Sequence, residues 1–171
     1  IQWQAFLDDK PKKKYEGKQA RRPIRALADT RILKAYHRMI DRGAHLGDDP
    51  PAADLHRLRI DAKKLRYLLE FFFGLYPKKT VSRLIRELKQ LQDILGGFND
   101  MDVQQRWLHD FADTLIEEQS ARSETVFDMS KLAQAMAARQ EQYRLRFGKK
   151  FAVFANEESR GIYLQTFGGD S

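Results

Sequence analysis

Cysteine is absent from the 171 residues. That excludes a disulfide scaffold, a thiolate metal site and a thiol nucleophile together. Apolar runs are short: none approaches the ~18–20 residues of a membrane span, and no secretory leader pattern is visible. Catalytic signatures are missing as well, with no GxxxxGK[ST] loop, no HExxH and no GxSxG. No histidine pair has the i,i+4 spacing that zinc favours, since His37 and His45 stand further apart and His109 is remote. Acids are scarce where bases are dense: from Lys10 to Arg38, eleven basic residues meet only Glu16 and Asp29. A soluble, intracellular, non-catalytic binding protein without metal or cofactor is therefore expected. The first residue is Ile1 rather than Met, so the chain reads as part of something longer.

What is present points to a folded, anion-seeking domain. A length of 171 fits the ~100–200 residues of one domain. The 42% hydrophobic content is enough for a core, and eleven Phe, six Tyr and two Trp argue against disorder. Lysine and arginine total 31 against 24 acids, and the resulting +7 favours an anionic partner. The charge is lopsided: residues 1–89 carry 22 basic and 11 acidic side chains, residues 90–171 carry 9 and 13. The first half is where an anion is expected to land.

Helical spacing recurs along the chain and strand alternation is hard to find. Residues 2–7 read as the end of a helix and 8–20 as a polar loop broken by Pro11 and Gly17. A helix opens near Pro23, suited to the first helical position, with Ile24, Ala28, Ile32, Ala35 and Met39 as its buried stripe. Gly43, Gly47 and Pro50-Pro51 close it. The second helix is expected from about Ala52 to Phe73, with Asp48, Asp49 or Asp54 at its start. A third, near Thr80–Leu95, gathers Leu84, Leu88, Leu91 and Leu95 on one face and stops at Gly96-Gly97. Asn99 or Asp100 then caps a fourth, which turns Val103, Trp107, Phe111 and Leu115 inward. After a polar stretch at 120–128, the last helices cover about 131–154 and 159–167. Trp3, Trp107 and Phe71-Phe72-Phe73 are expected in the core. Short loops between such helices imply an all-α antiparallel bundle.

The second helix carries the clearest pattern. At 3.6 residues per turn, His56, Arg59, Lys63, Arg66 and Tyr67 share an arc of about 100°. Leu55, Leu58, Leu65, Leu68, Leu69 and Phe72 occupy the opposite face, and Lys64 lies to one side of the stripe. The preceding helix repeats the arrangement with Arg31, Lys34, Arg38 and Arg42 inside about 80°. A solvated basic face is the plain alternative. It ordinarily carries interleaved acids at i,i+4, yet only Glu70 follows the stripe, placed to pair with Arg66 or Lys63, and Asp61 falls elsewhere. Two adjacent cationic ladders repel unless a polyanion lies between them, and Arg and Lys suit phosphate oxygens.

The run His56-x-x-Arg59…Lys63-Lys64-Leu65-Arg66-Tyr67-x-x-Glu70, then Leu91-Gln92-Asp93-x-Leu95-Gly96-x-x-Asn99-Asp100, resembles the second repeat of a CHAD domain (conserved histidine α-helical domain). The resemblance implies two similar four-helix bundles around a basic groove, with this chain supplying the second. Residues 1–171 then form a single helical domain, with 1–20 a helix end and basic loop and 21–171 the second repeat and C-terminal helices. The first repeat is absent on this reading, leaving apolar surface at Trp3, Phe6 and Leu7. The resemblance also implies binding of inorganic polyphosphate, cytoplasmic placement with association to polyphosphate granules, and a fused or partner CYTH-type triphosphatase domain. The ExExK pattern of CYTH itself is missing here.

Carried over, the family's basic positions fall on His56, Arg59, Lys63, Lys64 and Arg66, with Tyr67 ordering the ladder. Arg22, Arg31, Lys34, Arg38 and Lys89 form a secondary set. Cationic neighbours make His56 better suited to a phosphate hydrogen bond than to a metal ion. Asn99-Asp100 reads as a helix start after Gly96-Gly97, or else Asp100 and Asp102 hold a divalent cation accompanying phosphate. A nucleic-acid-binding bundle is the main alternative, weakened by the placement of the aromatics at apolar helical positions, which leaves few stacking platforms. A scaffold for an acidic protein partner is the third.

Overall fold

The computed structural model of the protein describes residues 22–47, 49–118, 120 and 122–169. Trp3, Phe6, Leu7, the expected helix end and loop of 1–20, and Asp48 lie outside the described residues. Among the described residues there are five α-helices and no strand: α1 (Ile24–Ala44), α2 (Ala52–Phe71), α3 (Lys78–Glu117), α4 (Ser123–Phe154) and α5 (Glu157–Phe167). A single 3₁₀ turn, Phe73–Leu75, links α2 to α3. Consecutive helices pack from α1 through to α4, and α5 returns onto α1. The expected all-α bundle is what forms.

Prolines start three of the helices. Pro23, Pro51 and Pro77 precede α1, α2 and α3 in extended conformation, one position earlier than expected for Pro23, and none carries a capping side chain. Asp54 sits in the first turn of α2, where it complements the helix dipole. Asp49 is not a cap: it pairs with Arg144 of α4. Only α5 has a side-chain cap among these helices, Asn156 Oδ1 accepting from the Ser159 amide at 2.8 Å.

The core is leucine-rich and aromatic. Leu55, Leu58, Leu65 and Leu69 of α2 are buried, as are Leu84, Leu88, Leu91 and Leu95 of α3. Each side chain so buried contributes about 1.5–3 kcal/mol. Ala28, Ile32, Tyr36 and Met39 face them from α1. Tyr36 stacks on Tyr163 of α5 at 3.9 Å between ring centroids, and full burial holds the Tyr163 hydroxyl well above its ordinary pKa. Of the stripe expected for α1, Ala28, Ile32 and Met39 are buried and Ala35 is half-buried, while Ile24, the first residue of the helix, is exposed and the buried Tyr36 was not expected.

Two expectations fail for one reason. Gly96-Gly97 does not stop a helix: α3 runs through it for 40 residues, about 60 Å. Two interior glycines cost roughly 1 kcal/mol each against alanine, but here they accommodate neighbours. A Cβ on Gly97 would collide with the ring of Tyr143 from α4. Asn99 and Asp100 are accordingly mid-helix residues and not caps. Because the helix does not restart, its buried stripe keeps phase from Leu95 through Phe98, Met101, Gln105, Leu108, Ala112 and Leu115. Val103, Trp107 and Phe111 fall out of phase and point outward, and Trp107 stacks on Phe111 at 5.4 Å. Leu115 alone of the expected set stays half-buried.

The partner of that stripe lies on α4. Val126, Met129, Ala133, Met136, Gln140, Tyr143 and Phe147 alternate at three- and four-residue steps and are half-buried or buried, the heptad spacing of a coiled coil. Gln105 Nε2 donates to Gln140 Oε1 at 3.1 Å across the seam. That heptad begins inside the stretch read as a polar linker, so α4 starts at Ser123 rather than near 131. The phenylalanine run also divides: Phe72 is buried, Phe73 half-buried and Phe71 exposed.

Close helix approach makes glycine substitutions diagnostic. A Cβ on Gly43 would enter the ring of Phe151, a core residue, whereas one on Gly148 meets open space. Gly43→Ala is expected to cost about 1–3 kcal/mol through overpacking. Gly148→Ala should instead gain about 0.5–1 kcal/mol from helix propensity. Thermal melts of both variants check the opposite signs.

Candidate anion-binding site

Burying the leucine face of α2 against α1 and α3 leaves its opposite face to present the cations. They divide between two grooves. In the first, Arg59, Lys63 and Arg66 of α2 stand beside Lys89, Gln92 and Asp93 of α3, with Tyr143 of α4 closing one end, around a concavity of about 580 Å³. Gly96 and Gly97 line it without side chains, Gly96 beside Arg59 and Gly97 beneath the ring of Tyr143. Asp100 is a second carboxylate on its lining.

The second groove lies between α1 and α2. Arg31, Lys34 and Arg38 of α1 meet Lys64 and Phe71 of α2 around a similar volume of about 580 Å³. Lys64, off the stripe in the helical projection, therefore belongs to the neighbouring groove. Tyr67 lines both grooves and forms the ridge between them. Lys63 Nζ and Arg66 Cζ lie 5.6 and 5.2 Å from the centroid of its ring. Such cation–π contacts hold two like charges near one another.

Several polar contacts set the arrangement. Arg42 Nε donates to Asp61 Oδ2 at 2.7 Å, and Asp61 is only 4% exposed. Asp61 thus faces inward to receive Arg42, which removes Arg42 from the α1 ladder and leaves Arg31, Lys34 and Arg38. Gln92 Nε2 donates to the Ala62 carbonyl at 3.0 Å and holds α3 against α2 below the groove. Arg66 reaches Glu70 at 3.6 Å, while its Nε is buried with no hydrogen-bond partner among the described residues. An unmet guanidinium donor is costly, and an anionic oxygen would satisfy it.

The remaining expected residues are placed differently. His56 is exposed and its Nδ1 lies 2.9 Å from Asn99 Oδ1, tying α2 to α3 outside either groove lining. Arg22 is exposed just ahead of α1, also outside both. Asp102 accepts from Arg106 at 2.8 Å, so an arginine already occupies the carboxylate weighed as a cation holder. A further concavity of about 980 Å³ runs along α1 and brings Lys34, His37, Arg38, Arg42 and His45 together with Asp41 and Asp54. Two carboxylates line it, as they do the first groove, whereas the second groove carries one, Asp61.

Sequence reasoning missed Gln92 as a floor residue and Tyr143 as a wall. The signal for Tyr143 was its place at the seventh-residue repeat of α4, opposite a glycine that has no side chain to exclude it.

The chain matches the CHAD domain family over residues 2–109, more than half its length, and it belongs to that family. The matched stretch contains α1, α2 and most of α3, while α4 and α5 lie beyond it. No match to a curated protein was found.

The Arg42–Asp61 pair separates structural from ligand-facing arginines. Arg42→Ala leaves a buried carboxylate alone, at a cost of 3–5 kcal/mol where both partners are fully buried. Arg42 is 34% exposed, so solvent screening lowers the expectation to about 2 kcal/mol. Its melting temperature should drop clearly, whereas Arg38→Ala should melt as the wild type does. Calorimetric melts of the two variants make the comparison.

Proposed function

We propose that this chain binds inorganic polyphosphate, laid along the two grooves that flank Tyr67. The observation that carries the reading is the convergence of Arg59, Lys63, Arg66 and Lys89 in one groove and Arg31, Lys34, Arg38 and Lys64 in the next, with a common ridge. A linear anion with a charge on every repeat unit neutralises both ladders and displaces their counterions. Membership of the CHAD family supports the reading, and so does the excess of basic residues in the matched half.

The role proposed is non-catalytic. Neither groove joins a nucleophile to a base or an oxyanion-stabilising pair of amides, the parts that phosphoryl or acyl transfer requires. In the cell the chain would hold a partner, such as a CYTH-type triphosphatase domain, against cytoplasmic polyphosphate or its granules. No helix among the described residues is long and apolar enough to cross a membrane.

A single-stranded nucleic acid is the second reading, and one observation favours it. Tyr67 is 48% and Phe71 80% exposed beside the second groove, where bases could stack. Against it, the Tyr67 ring is flanked by Lys63 and Arg66. Polyphosphate should displace single-stranded DNA of equal charge, and better binding of the DNA would overturn the preference.

Specific grooves and diffuse positive charge make different predictions. The triple variant Arg59→Ala/Lys63→Ala/Arg66→Ala should lose roughly two decades of polyphosphate affinity, at about 1 kcal/mol per lost charge-assisted contact. Removing Lys78, Lys79 and Arg122, which line neither groove, should cost about 0.2–0.5 kcal/mol each, mostly through association rate. Isothermal titration at two salt concentrations reads both, with circular dichroism as the folding control. Equal losses would reduce the stripe to a solvated face.

A further inference from the structure

Another concavity, about 620 Å³, lies between α3 and α4 and is lined by Arg146, Lys149 and Lys150 with Gln90 and Asp93. Tyr143 belongs to its lining as well as to that of the groove formed by Arg59, Lys63 and Arg66. Asp93 is shared in the same way. The arrangement repeats the relation already seen at Tyr67: a tyrosine stands between two cationic grooves and a cation lies over its ring, here Arg146 Cζ at 5.8 Å from the Tyr143 centroid.

From this juxtaposition we infer that Arg146, Lys149 and Lys150 form a third polyanion-binding segment, continuous with the first two, which only a long polyphosphate chain reaches. The inference rests on the polyphosphate reading and extends it to a preference for chain length. Arg146 and Lys150 follow Tyr143 at three and seven residues and share its face of α4, while Lys149, six residues on, lies about 120° round the helix and reaches the same concavity from its side. Arg146 and Lys149 are exposed and Lys150 is half-buried. They fall within the half of the chain that is otherwise acidic in balance, where bases number 9 against 13 acids. A cationic cluster there is not part of a general positive surface. The cluster also lies outside residues 2–109, the stretch matched to the family.

The ring of Tyr143 lies directly against the backbone of Gly97 and lines both grooves, so a chain passing from one to the other crosses over that ring. One carboxylate, Asp93, lines the crossing, with cations on both sides of it. A short anion is already satisfied by the cations of one groove and gains nothing from the third segment. A chain that spans all three displaces counterions from each.

The test uses the full chain and two probes, tripolyphosphate and long-chain polyphosphate, titrated over a range of salt. Arg146→Ala/Lys149→Ala/Lys150→Ala should weaken long-chain binding about tenfold at low salt and flatten its salt slope by about 2. Tripolyphosphate affinity should change less than twofold. The double variant Arg146→Gln/Lys149→Gln keeps the aliphatic stems and should show the same selectivity with an unchanged melting curve. The inference is overturned if long-chain affinity and slope stay at wild-type values, or if both probes weaken equally. Wild-type protein that binds neither probe would instead overturn the polyphosphate reading on which the inference rests.

Discussion

The burial of one face of α2 is the constraint from which the rest of the molecule follows. Leu55, Leu58, Leu65 and Leu69 are removed from water between α1 and α3. With that face committed, the residues half a turn away have one direction in which to point. Arg59, Lys63 and Arg66 are gathered by the same force that builds the core, although no attraction exists among them. Their mutual repulsion is a standing cost, reduced by Glu70 beside Arg66 and by the ring of Tyr67. On the proposed reading, a polyanion filling the grooves would remove that cost, and ligand affinity and folding stability would be linked through the same side chains.

The long α3 supplies the second requirement, which is space. A helix broken at Gly96-Gly97 would have left a loop beside the cations. The continuous helix instead presents backbone without side chains at that place, and Tyr143 of α4 settles onto it. Glycine here serves close approach between helices. The same continuity extends α3 and α4 into a heptad-paired arm, whose outer surface carries the stacked Trp107 and Phe111.

Much of this was legible in the sequence where a periodic pattern had only one physical outcome. The leucine faces of α2 and α3 could be read because their spacing leaves a single buried direction, and the cationic stripe followed as its complement. Glycine was harder, because one residue type serves both helix termination and tight packing. Only the partner ring distinguishes the two, and Tyr143 lies more than forty positions away in the sequence. The misplacement of Val103, Trp107 and Phe111 came from that one decision, since a restarted helix would have had a different phase. Arg42 shows a second limit. Helical projection places it in the ladder, but the buried Asp61 of the next helix claims it.

The central claim is that the cations of α1, α2 and α3 act as one bound surface rather than as a diffuse field. Lysine acetylation footprinting with and without long-chain polyphosphate, read by mass spectrometry, addresses it residue by residue. Lys34, Lys63, Lys64 and Lys89 line the two grooves, whereas Lys78, Lys79 and Lys131 are exposed elsewhere. Polyphosphate should protect the groove lysines strongly and leave the others at the rate of the free protein. Equal protection at all seven would contradict a structured site and assign the binding to net charge alone.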